Sequence, residues 1–540
     1  PSQTTFRYDI ANQLREVEDA IGRKTNTEYD GQGRVIERTS PEDKFGVRPK
    51  VEYVYDAAGN VVEEKSLAIQ AYTLVVQNVY DNLDRLVQTI APDPDLTVDN
   101  YAGPDTPITY FKYDVASRQT DTVDPLGRVT SYDYDDLDRR TSVTLPVLGG
   151  QYFTQQTEYD KLGNVTATID RKGRRTEIDL DELYRVIEVT APSEDHYDPL
   201  TDAVVTGSQS VRSVYDAAGN VVQTSDLIDG SVYRTTDTSY DALDRAVTVQ
   251  APSATHFDGV ARPTTTTTYD LIGNTLTQTD PLGNVTTYEY DAQYRLVKTK
   301  TPDANDGSGQ AGPEYTYTYD AAGQRTTVTD PKNRTTTTFY DLPGRVVKTV
   351  EPDPGNGELA PTTLVDYDLL GNVISTTRIN GETGQIQTTT NAFDRLRRVI
   401  GVYDENNDFT GFTLDIVGRR DEMTDPAGNI TQHGYDAWDR LITDTIIVGG
   451  AAETETFAYD ATDNVVYRQD RNLREYDYTY DDIDRRTAEV WKDGGVPVNQ
   501  IDTTYDIANR VRTQSDDFSS YTYSYDVLDR VSATSNAGTP

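Results

Sequence analysis

The side chains that carry most catalytic and metal-binding chemistry are scarce in this sequence. It holds no cysteine and only three histidines, His196, His256 and His433. The lack of thiols excludes disulfides, thiolate nucleophiles, iron–sulfur clusters and cysteine-based zinc sites. General acid–base catalysis near neutral pH commonly uses histidine, so its scarcity disfavours such an enzyme. Carboxylate chemistry is what remains.

Acidic runs are the residues that suit such chemistry. Residues 132–138 (YDYDDLD) and 476–484 (YDYTYDDID) offer several carboxylates within a few positions. A calcium loop needs alternating Asp or Asn ligands around a glycine and a closing Glu, and neither run has that pattern. No carboxylate pair stands out as a glycosidase site either. We therefore predict no enzyme activity, no catalytic or metal-ligating residues and no cofactor, with calcium binding as the alternative.

The charge balance restricts the partners. Of the 540 residues, 90 are Asp or Glu and 50 are Lys or Arg, a net charge of −40. A nucleic acid would be repelled, because binding it requires a basic surface. No apolar run is long enough for a membrane helix, so no membrane insertion by this segment is expected. The 38 Tyr and 11 Phe favour a folded chain over an acidic disordered one.

A short motif recurs along the whole chain. It consists of an aromatic residue, Asp, two variable residues, Gly or Asp, and then Arg or Asn, and Asp is present in all 22 copies. Tyr is replaced only at Leu180, Phe393 and Leu414. The copies begin at Tyr8, Tyr29, Tyr55, Tyr80, Tyr113, Tyr134, Tyr159, Leu180, Tyr215, Tyr240, Tyr269, Tyr290, Tyr319, Tyr340, Tyr367, Phe393, Leu414, Tyr435, Tyr459, Tyr480, Tyr505 and Tyr525.

Two kinds of copy alternate over most of the length. One is a Gly-Asn type and the other a Leu-Asp-Arg type, and together they form a unit of about 50 residues. The residues that we expect to build the structural motif are Tyr55, Asp56, Gly59 and Asn60, Tyr80, Asp81 and Arg85, Tyr215 and Asp216, and Tyr240, Asp241 and Arg245.

The segments between the motifs predict strands. Residues 264–269, 284–290 and 334–340 alternate with period two and are rich in Thr, Val and Tyr, whereas helical periodicity is absent. Gly, Asn and Asp tolerate the positive φ of tight hairpins, and the Asp side chain can accept backbone N–H groups a few residues on. We expect the Tyr rings to stack on one another along one face, and the motif Arg to pair with an acid of the adjacent hairpin. Two strands per motif give roughly 44 strands.

The motifs resemble RHS/YD repeats. The resemblance rests on YDAAGN at Tyr55 and Tyr215, YDALDR at Tyr240, and the Asp-Pro-Leu-Gly-Arg stretch at 124–128. It implies an all-β fold, a continuous array of hairpins coiled into a spiral wall or barrel, as in the shells of Tc toxin BC components, polymorphic toxins and teneurins. We expect residues 1–540 to be one such array and a segment of a longer chain. The Asp-Pro-x-Gly-Leu self-cleavage stretch of toxin members is absent, so no protease residue is assigned.

Insertions between hairpins are the sequence's other functional candidates. They lie at 101–107, 196–209, 256–263 and 303–313 and carry Pro, Gly and aromatic residues. Such loops are commonly neutral insertions, which a repeat scaffold tolerates because they cost little stability. Alternatively, Tyr101, Tyr197 and Phe257 form a ligand edge on which glycans stack.

These observations favour a structural role. We predict a non-enzymatic segment of a large secreted or cell-surface protein, forming a shell or fibre for encapsulation, attachment or surface coating. Its expected partners are neighbouring copies or flanking segments of the same protein. One alternative is an adhesion module that binds carbohydrate or a receptor, and another is the shell of a polymorphic toxin whose effector lies beyond residue 540.

Overall fold

The structure, a computed structural model, consists of strands and turns. It describes residues 4–19, 22–42, 47–67, 73–94, 106–198, 203–229, 232–252, 262–302, 312–355, 359–368, 370–526 and 529–537, and none of these is helical. The strands are β1 Thr5–Tyr8, β2 Leu14–Glu18, β3 Lys24–Tyr29, β4 Val35–Thr39, β5 Lys50–Tyr55, β6 Val61–Leu67, β7 Thr73–Tyr80, β8 Leu86–Ile90, β9 Ile108–Tyr113, β10 Gln119–Val123, β11 Val129–Tyr134, β12 Arg140–Thr144, β13 Thr154–Tyr159, β14 Val165–Ile169, β15 Arg175–Leu180, β16 Val186–Thr190, β17 Glu194–Asp198, β18 Ala203–Gly207, β19 Ser210–Tyr215, β20 Val221–Asp229, β21 Val232–Tyr240, β22 Ala246–Gln250, β23 Thr264–Tyr269, β24 Thr275–Thr279, β25 Val285–Tyr290, β26 Leu296–Lys300, β27 Glu314–Tyr319, β28 Arg325–Thr329, β29 Thr335–Tyr340, β30 Val346–Val350, β31 Thr362–Tyr367, β32 Val373–Ile379, β33 Ile386–Phe393, β34 Val399–Tyr403, β35 Phe409–Leu414, β36 Arg420–Thr424, β37 Ile430–Tyr435, β38 Leu441–Val448, β39 Ala451–Tyr459, β40 Val465–Gln469, β41 Arg474–Tyr480, β42 Arg486–Asp493, β43 Val496–Tyr505, β44 Val511–Ser515, β45 Ser520–Tyr525 and β46 Val531–Asn536.

Forty-four of these strands belong to one antiparallel sheet. The prediction of an all-β hairpin array of about that many strands is confirmed. The remaining two, β17 and β18, pair only with each other, and β16 pairs with β19 across them. This separate hairpin occupies the insertion that the sequence places at 196–209.

The chain forms two compact units, each made of two segments. Unit 1 consists of Pro1–Arg128 and Thr287–Thr431, and unit 2 of Val129–Thr286 and Gln432–Pro540. In unit 2, strands adjacent in sequence pair antiparallel from β11 to β16, from β19 to β24 and from β38 to β46. The expectation of one continuous array over residues 1–540 stays a prediction.

A β-bulge marks the motif of each hairpin. In β21 and β22, for example, Ser239 lies opposite Thr248, but Tyr240 lies opposite Ala246, so the register shifts just before the motif Tyr. The same shift precedes Tyr55 and Tyr80. A bulge increases local twist and re-aims a side chain. Here it sets the orientation of the motif Tyr.

The described residues bury few apolar side chains. Among them, the buried hydrophobic residues are Val75, Ala167, Leu227 and Ile507, and of these four only Ala167 is completely shielded from solvent. Burial of apolar side chains therefore accounts for only part of the packing between hairpins. Much of what holds the hairpins together must lie in the turns at the strand ends.

Candidate functional site, the motif turns and the edge seam

The motif turn is the five-residue loop from the motif Asp to the position four residues later. In the turn of residues 241–245, Asp241 Oδ1 accepts the backbone N–H groups of Leu243 at 2.9 Å and Arg245 at 3.1 Å. Asp241 Oδ2 accepts Nε of Arg245 at 2.8 Å. Asp244 has a φ of +58°, which few residue types adopt at low cost. Both carboxylate oxygens are thus bound within the loop, and this explains why every copy has Asp.

The Gly-Asn copies build the same turn with an amide in place of the guanidinium. Asn60 donates its backbone N–H to Asp56 Oδ1 at 2.9 Å and its side-chain amide to Oδ2 at 3.0 Å. Gly59 takes the left-handed position with a φ of +101°. Asp216 makes equivalent contacts with Asn220.

The hydrogen bonds within the turns lower the pKa of these carboxyls. For Asp81 and Asp241, the largest cause is the hydrogen bond from the motif Arg, Arg85 or Arg245, with backbone N–H groups adding to it. For Asp216 the backbone N–H of Asn220 contributes most. The motif Asp is therefore a stable anion at neutral pH.

In most copies the motif Arg also reaches the next motif along the sheet. Arg245 Nη1 donates to the backbone carbonyl of Asp270 at 2.7 Å, and its guanidinium lies 4.8 Å from the centre of the Tyr269 ring. The Tyr269 hydroxyl in turn donates to the carbonyl of Ala246 at 2.9 Å. Arg85 makes the same contacts with Asp114 and Tyr113.

The expected pairing of the motif Arg with an acid of the adjacent hairpin holds in only some copies. Arg440 and Arg510 pair with Asp463 and Asp529 of the next motif turn, at 3.0 and 3.1 Å, whereas Arg245 forms its ion pair with Asp241 of its own turn, at 2.6 Å. The expected stacking of the Tyr rings on one another is wrong. The Tyr ring stacks under the Arg of the preceding motif instead of on other Tyr rings. Stacking on Arg is favoured over stacking on another Tyr because the planar guanidinium binds a carboxylate, a carbonyl and a ring face at once.

The hydroxyl of the motif Tyr caps a backbone carbonyl in most hairpins. Tyr55, Tyr215 and Tyr240 donate to Val35, Val186 and Val221 at 2.6, 2.8 and 2.9 Å. At Phe393, which lacks the hydroxyl, the Asn391 amide donates to the equivalent carbonyl of Val373 at 2.9 Å. Sequence reasoning missed Asn391. The signal was present, since Asn391 stands two residues before the substituted position.

A second set of turns lies at the other strand ends, and we call these the opposite turns. In unit 2 the opposite turn of residues 170–174 packs against the motif turns 460–464 and 481–485. Arg174 Nη2 lies 2.7 Å from Asp484 Oδ2, and Lys172 Nζ lies 2.7 Å from Asp460 Oδ2. Burial alone would raise the pKa of Asp484, but hydrogen bonds led by that from Arg174 hold it well below its usual range.

We call the whole set of such contacts in unit 2 the edge seam. It joins the opposite edge of segment 129–286 to the motif edge of segment 432–540, residues about 300 positions apart. The pairs are Pro146 with Trp438, Arg171 with Asp463, Lys172 with Asp460, Arg174 with Asp484, Glu194 with Arg485, Gln209 with Asn509, and Arg234 with Asp529. Sequence reasoning predicted none of them.

Trp438 forms the aromatic part of the seam. Its ring meets Phe153 edge to face, with ring centres 5.0 Å apart, and the guanidinium groups of Arg171 and Arg440 lie 4.9 and 4.6 Å from the ring. Cation–π and edge-to-face contacts of this kind each stabilise by about 0.5–1.5 kcal/mol. The seam therefore combines charge with apolar contact.

The insertion hairpin β17–β18 begins at the seam. Glu194 is 5% exposed and lies 2.9 Å from Arg485. Burial raises the pKa of Glu194 to about 7, Arg485 opposes this rise, and the carboxylates of Asp481 and Asp482 add to it. A carboxyl that titrates near neutral pH thus lies between two elements of unit 2.

The predicted ligand edge is not assembled by the described residues. The backbone of Tyr197 lies in β17 opposite Val204, while Tyr101 and Phe257 lie outside the described residues. Glycan binding there stays a prediction.

The histidines are not gathered into a site. His196 is 7% exposed, and its Nδ1 has no hydrogen-bond partner among the described residues. His433 Nδ1 lies 3.6 Å from Asp444. His256 lies outside the described residues. Within the described ranges no three His, Asp or Glu are grouped to hold a metal ion, and the calcium alternative stays a prediction.

Unit 1 contains a cavity of about 850 Å³. It is lined mainly by apolar side chains, including Phe393, Phe412 and Leu414, with Pro94 at its margin. Two carboxylates line it, Asp394 and Asp415, and each is bound by the Arg of its own motif turn at 2.6 Å. Both carboxylates are thus held within their own motif turns.

Hairpins closed by an Asp-anchored turn and joined into an antiparallel sheet define a β-hairpin repeat protein. The RHS repeat family model matches residues 8–44, 113–147, 269–306, 305–335 and 319–355, so the chain contains RHS repeats. A comparison with curated proteins gives no match. No helix among the described residues is long and apolar enough to cross a membrane.

The fold is that of the Tc toxin shell structures. The crystal structures of TcdB2–TccC3–Cdc42 and TcdB2–TccC3 match with TM-scores of 0.52 and 0.51, at 14% and 13% identity, over 97% of this chain. TcdB2–TccC3 without its hypervariable C-terminal region gives 0.51. The chain spans about 30% of the length of these structures.

Proposed function

We propose that this chain is a non-enzymatic wall segment of a large extracellular or surface-attached protein, and that the wall encloses cargo. The edge seam carries the proposal. A wall that retains cargo needs its neighbouring segments of sheet to be joined along their edges. In unit 2 the edge seam joins two such segments through ion pairs, hydrogen bonds and one aromatic cluster.

The state of the carboxylates supports a structural role over catalysis. Those of the motif turns are bound by backbone N–H groups and by Arg or Asn. A catalytic acid requires a carboxyl with a raised pKa facing a cleft. Glu194 has the raised pKa, but it is buried against Arg485.

Enclosure can be tested by labelling the two faces of the sheet. Residues 1–540 contain no cysteine, so within this chain a single-cysteine variant reacts at one position, and the protein without the substitution is the blank for labelling. Thr336→Cys and Thr337→Cys form a matched pair in β29, because adjacent residues of a strand point to opposite faces. The experiment uses the intact protein as expressed from its gene.

A small maleimide should modify both variants, whereas a large polyethylene-glycol maleimide should modify only one of them. Equal modification of both by the large reagent would contradict enclosure and favour an open surface coat. The small reagent is the control for local accessibility of each cysteine.

A further inference from the structure

The edge seam pairs one opposite turn with two motif turns, and unit 2 contains a second example of each of these two surfaces. The opposite turn 470–474 reads Asp-Arg-Asn-Leu-Arg, and the seam turn 170–174 reads Asp-Arg-Lys-Gly-Arg. The motif turns 216–220 and 241–245 combine a Gly-Asn copy with a Leu-Asp-Arg copy. The seam turns 460–464 and 481–485 likewise combine an Asn-ended with an Asp-Arg copy.

Arg474, which corresponds to Arg174 of the seam, is exposed to solvent, whereas Arg174 is largely covered. Arg174 and Arg474 each bind the Asp of their own turn, Asp170 and Asp470, through Nε at 2.6 and 2.8 Å. The Arg174 side chain is 12% exposed because it also contacts Asp484, whereas that of Arg474 is 60% exposed. Arg474 thus has donors available for a partner.

Asp244, which corresponds to Asp484 of the seam, likewise lacks the contact that its counterpart makes. Asp484 accepts the amide of Asn464 at 2.6 Å and binds Arg174 as well. Asp244 holds the same left-handed position in its turn, is exposed, and accepts the amide of Asn220 at 2.8 Å. No cation among the described residues pairs with Asp244.

We propose that a second copy of this chain docks on these edges, with its 470–474 turn seated against motif turns 216–220 and 241–245 and Arg474 paired with Asp244. The contact extends the geometry of the internal seam from one chain to the next. Because the two surfaces differ, it is a heterologous head-to-tail contact, and repetition of it builds open filaments.

The intermolecular contact is weaker than the internal seam. Asn472 stands where the seam has Lys172, and Arg471 is bound within its own segment by Asp444 and Glu455. An exposed ion pair contributes only about 0.2–1 kcal/mol and is screened by salt. Two copies that each carry a net charge of −40 also repel one another, so association should need high protein concentration.

Sedimentation velocity over a concentration series tests the proposal. The unmodified chain should show a weight-average sedimentation coefficient that rises with concentration. Arg474→Glu and Asp244→Arg should each stay monomeric alone, and an equimolar mixture should associate again, because each mixed contact restores opposite charges.

Two substitutions with the same charge changes serve as controls. Arg530→Glu alters an Arg that is 65% exposed and lies in another motif turn, and Asp179→Arg alters an exposed strand residue. Both should associate like the unmodified chain. Arg is accommodated at position 244, since Arg397 holds the same motif position with a φ of +65°.

A monomeric unmodified chain at every concentration would overturn the proposal, as would persistent association of either variant or a mixture that stays monomeric. Circular dichroism of each variant confirms that the sheet is intact. The outcome is independent of the face-labelling test, so enclosure can hold while association fails, and the reverse.

Discussion

The indole Nε1 of Trp438 donates a hydrogen bond of 2.9 Å to the backbone carbonyl of Pro146, a residue 292 positions earlier in the chain. No repeat unit of about 50 residues contains such a contact. It exists because two segments of sheet lie edge to edge within unit 2, and it gives the seam a spectroscopic reporter.

Loss of the seam cations should expose Trp438. The chain has two Trp, so Trp491→Phe leaves Trp438 as the only indole. In that background we expect Lys172→Met together with Arg174→Met to shift the emission to longer wavelength and to increase acrylamide quenching, because the bridges to Asp460 and Asp484 are gone. Arg474→Met is the matched control at an uncovered turn and should leave the spectrum unchanged. An unshifted spectrum in the double variant would mean that apolar contacts alone hold the seam.

Removal of a motif carboxylate should open its hairpin locally. Asp241→Ala takes away the acceptor for two backbone N–H groups and for Arg245. The loss of a hydrogen bond to a charged group destabilises a protein more than the loss of one between neutral groups. We expect amide exchange in β21 and β22 to speed up at least about tenfold, measured by hydrogen–deuterium exchange. Asp179→Ala, at an exposed strand position, should leave exchange in those strands unchanged.

The Tyr hydroxyl should contribute modestly. Tyr269→Phe deletes the hydrogen bond to Ala246, and a bond of this kind contributes about 1 kcal/mol. Exchange of the amides around the 270–274 turn should accelerate about fivefold, while the stacking of Arg245 on the ring is kept. Tyr269→Leu removes the stacking as well and should have the larger effect. Equal effects of the two variants would show that the stacking contributes nothing.

Acid should weaken the array. Asp81, Asp216 and Asp241 have a lower pKa in the folded state than the ordinary 3.8, so the unfolded chain binds more protons at these positions. The stability that they provide is fully present above pH 4 and is lost as the pH falls through their folded-state pKa values. Thermal melts followed by circular dichroism between pH 5 and pH 2.5 should show a falling midpoint. A midpoint constant over this range would contradict the assignment.

Docking of hairpin β17–β18 should show the opposite pH dependence. The pKa of Glu194 is raised to about 7 by burial, so the docked state binds the proton more tightly than the open state. Docking is therefore strongest below about pH 4.5 and weakens as the pH rises to 7. Asp481, Asp482 and Arg485 are the charged groups that face Glu194.

Hydrogen–deuterium exchange of the backbone amides in 194–207 should accelerate from pH 5 to pH 8 in the unmodified chain, after correction for the pH dependence of the intrinsic exchange rate. Glu194→Gln cannot ionise and should flatten this trend. A trend that persists in the Gln variant would assign the effect to another group, such as the buried His196.

The sequence by itself determined the repeating parts of this protein. Strand number, the hairpin turns and the requirement for Asp could be predicted because their contacts join residues at most four positions apart, as between Asp241 and Arg245. The conformation at Gly59 follows in the same way.

Only the tertiary structure decided how the edges are used. The partner of Arg174 at Asp484, the docking of the 196–209 insertion and the role of Trp438 depend on small rotations between strands, summed over many hairpins. No single motif encodes that sum. The partners of the motif Arg were predicted only in part. Arg245 pairs within its own turn, whereas Arg440 and Arg510 also pair with an acid of the neighbouring hairpin, and geometry that spacing alone does not contain decides between the two.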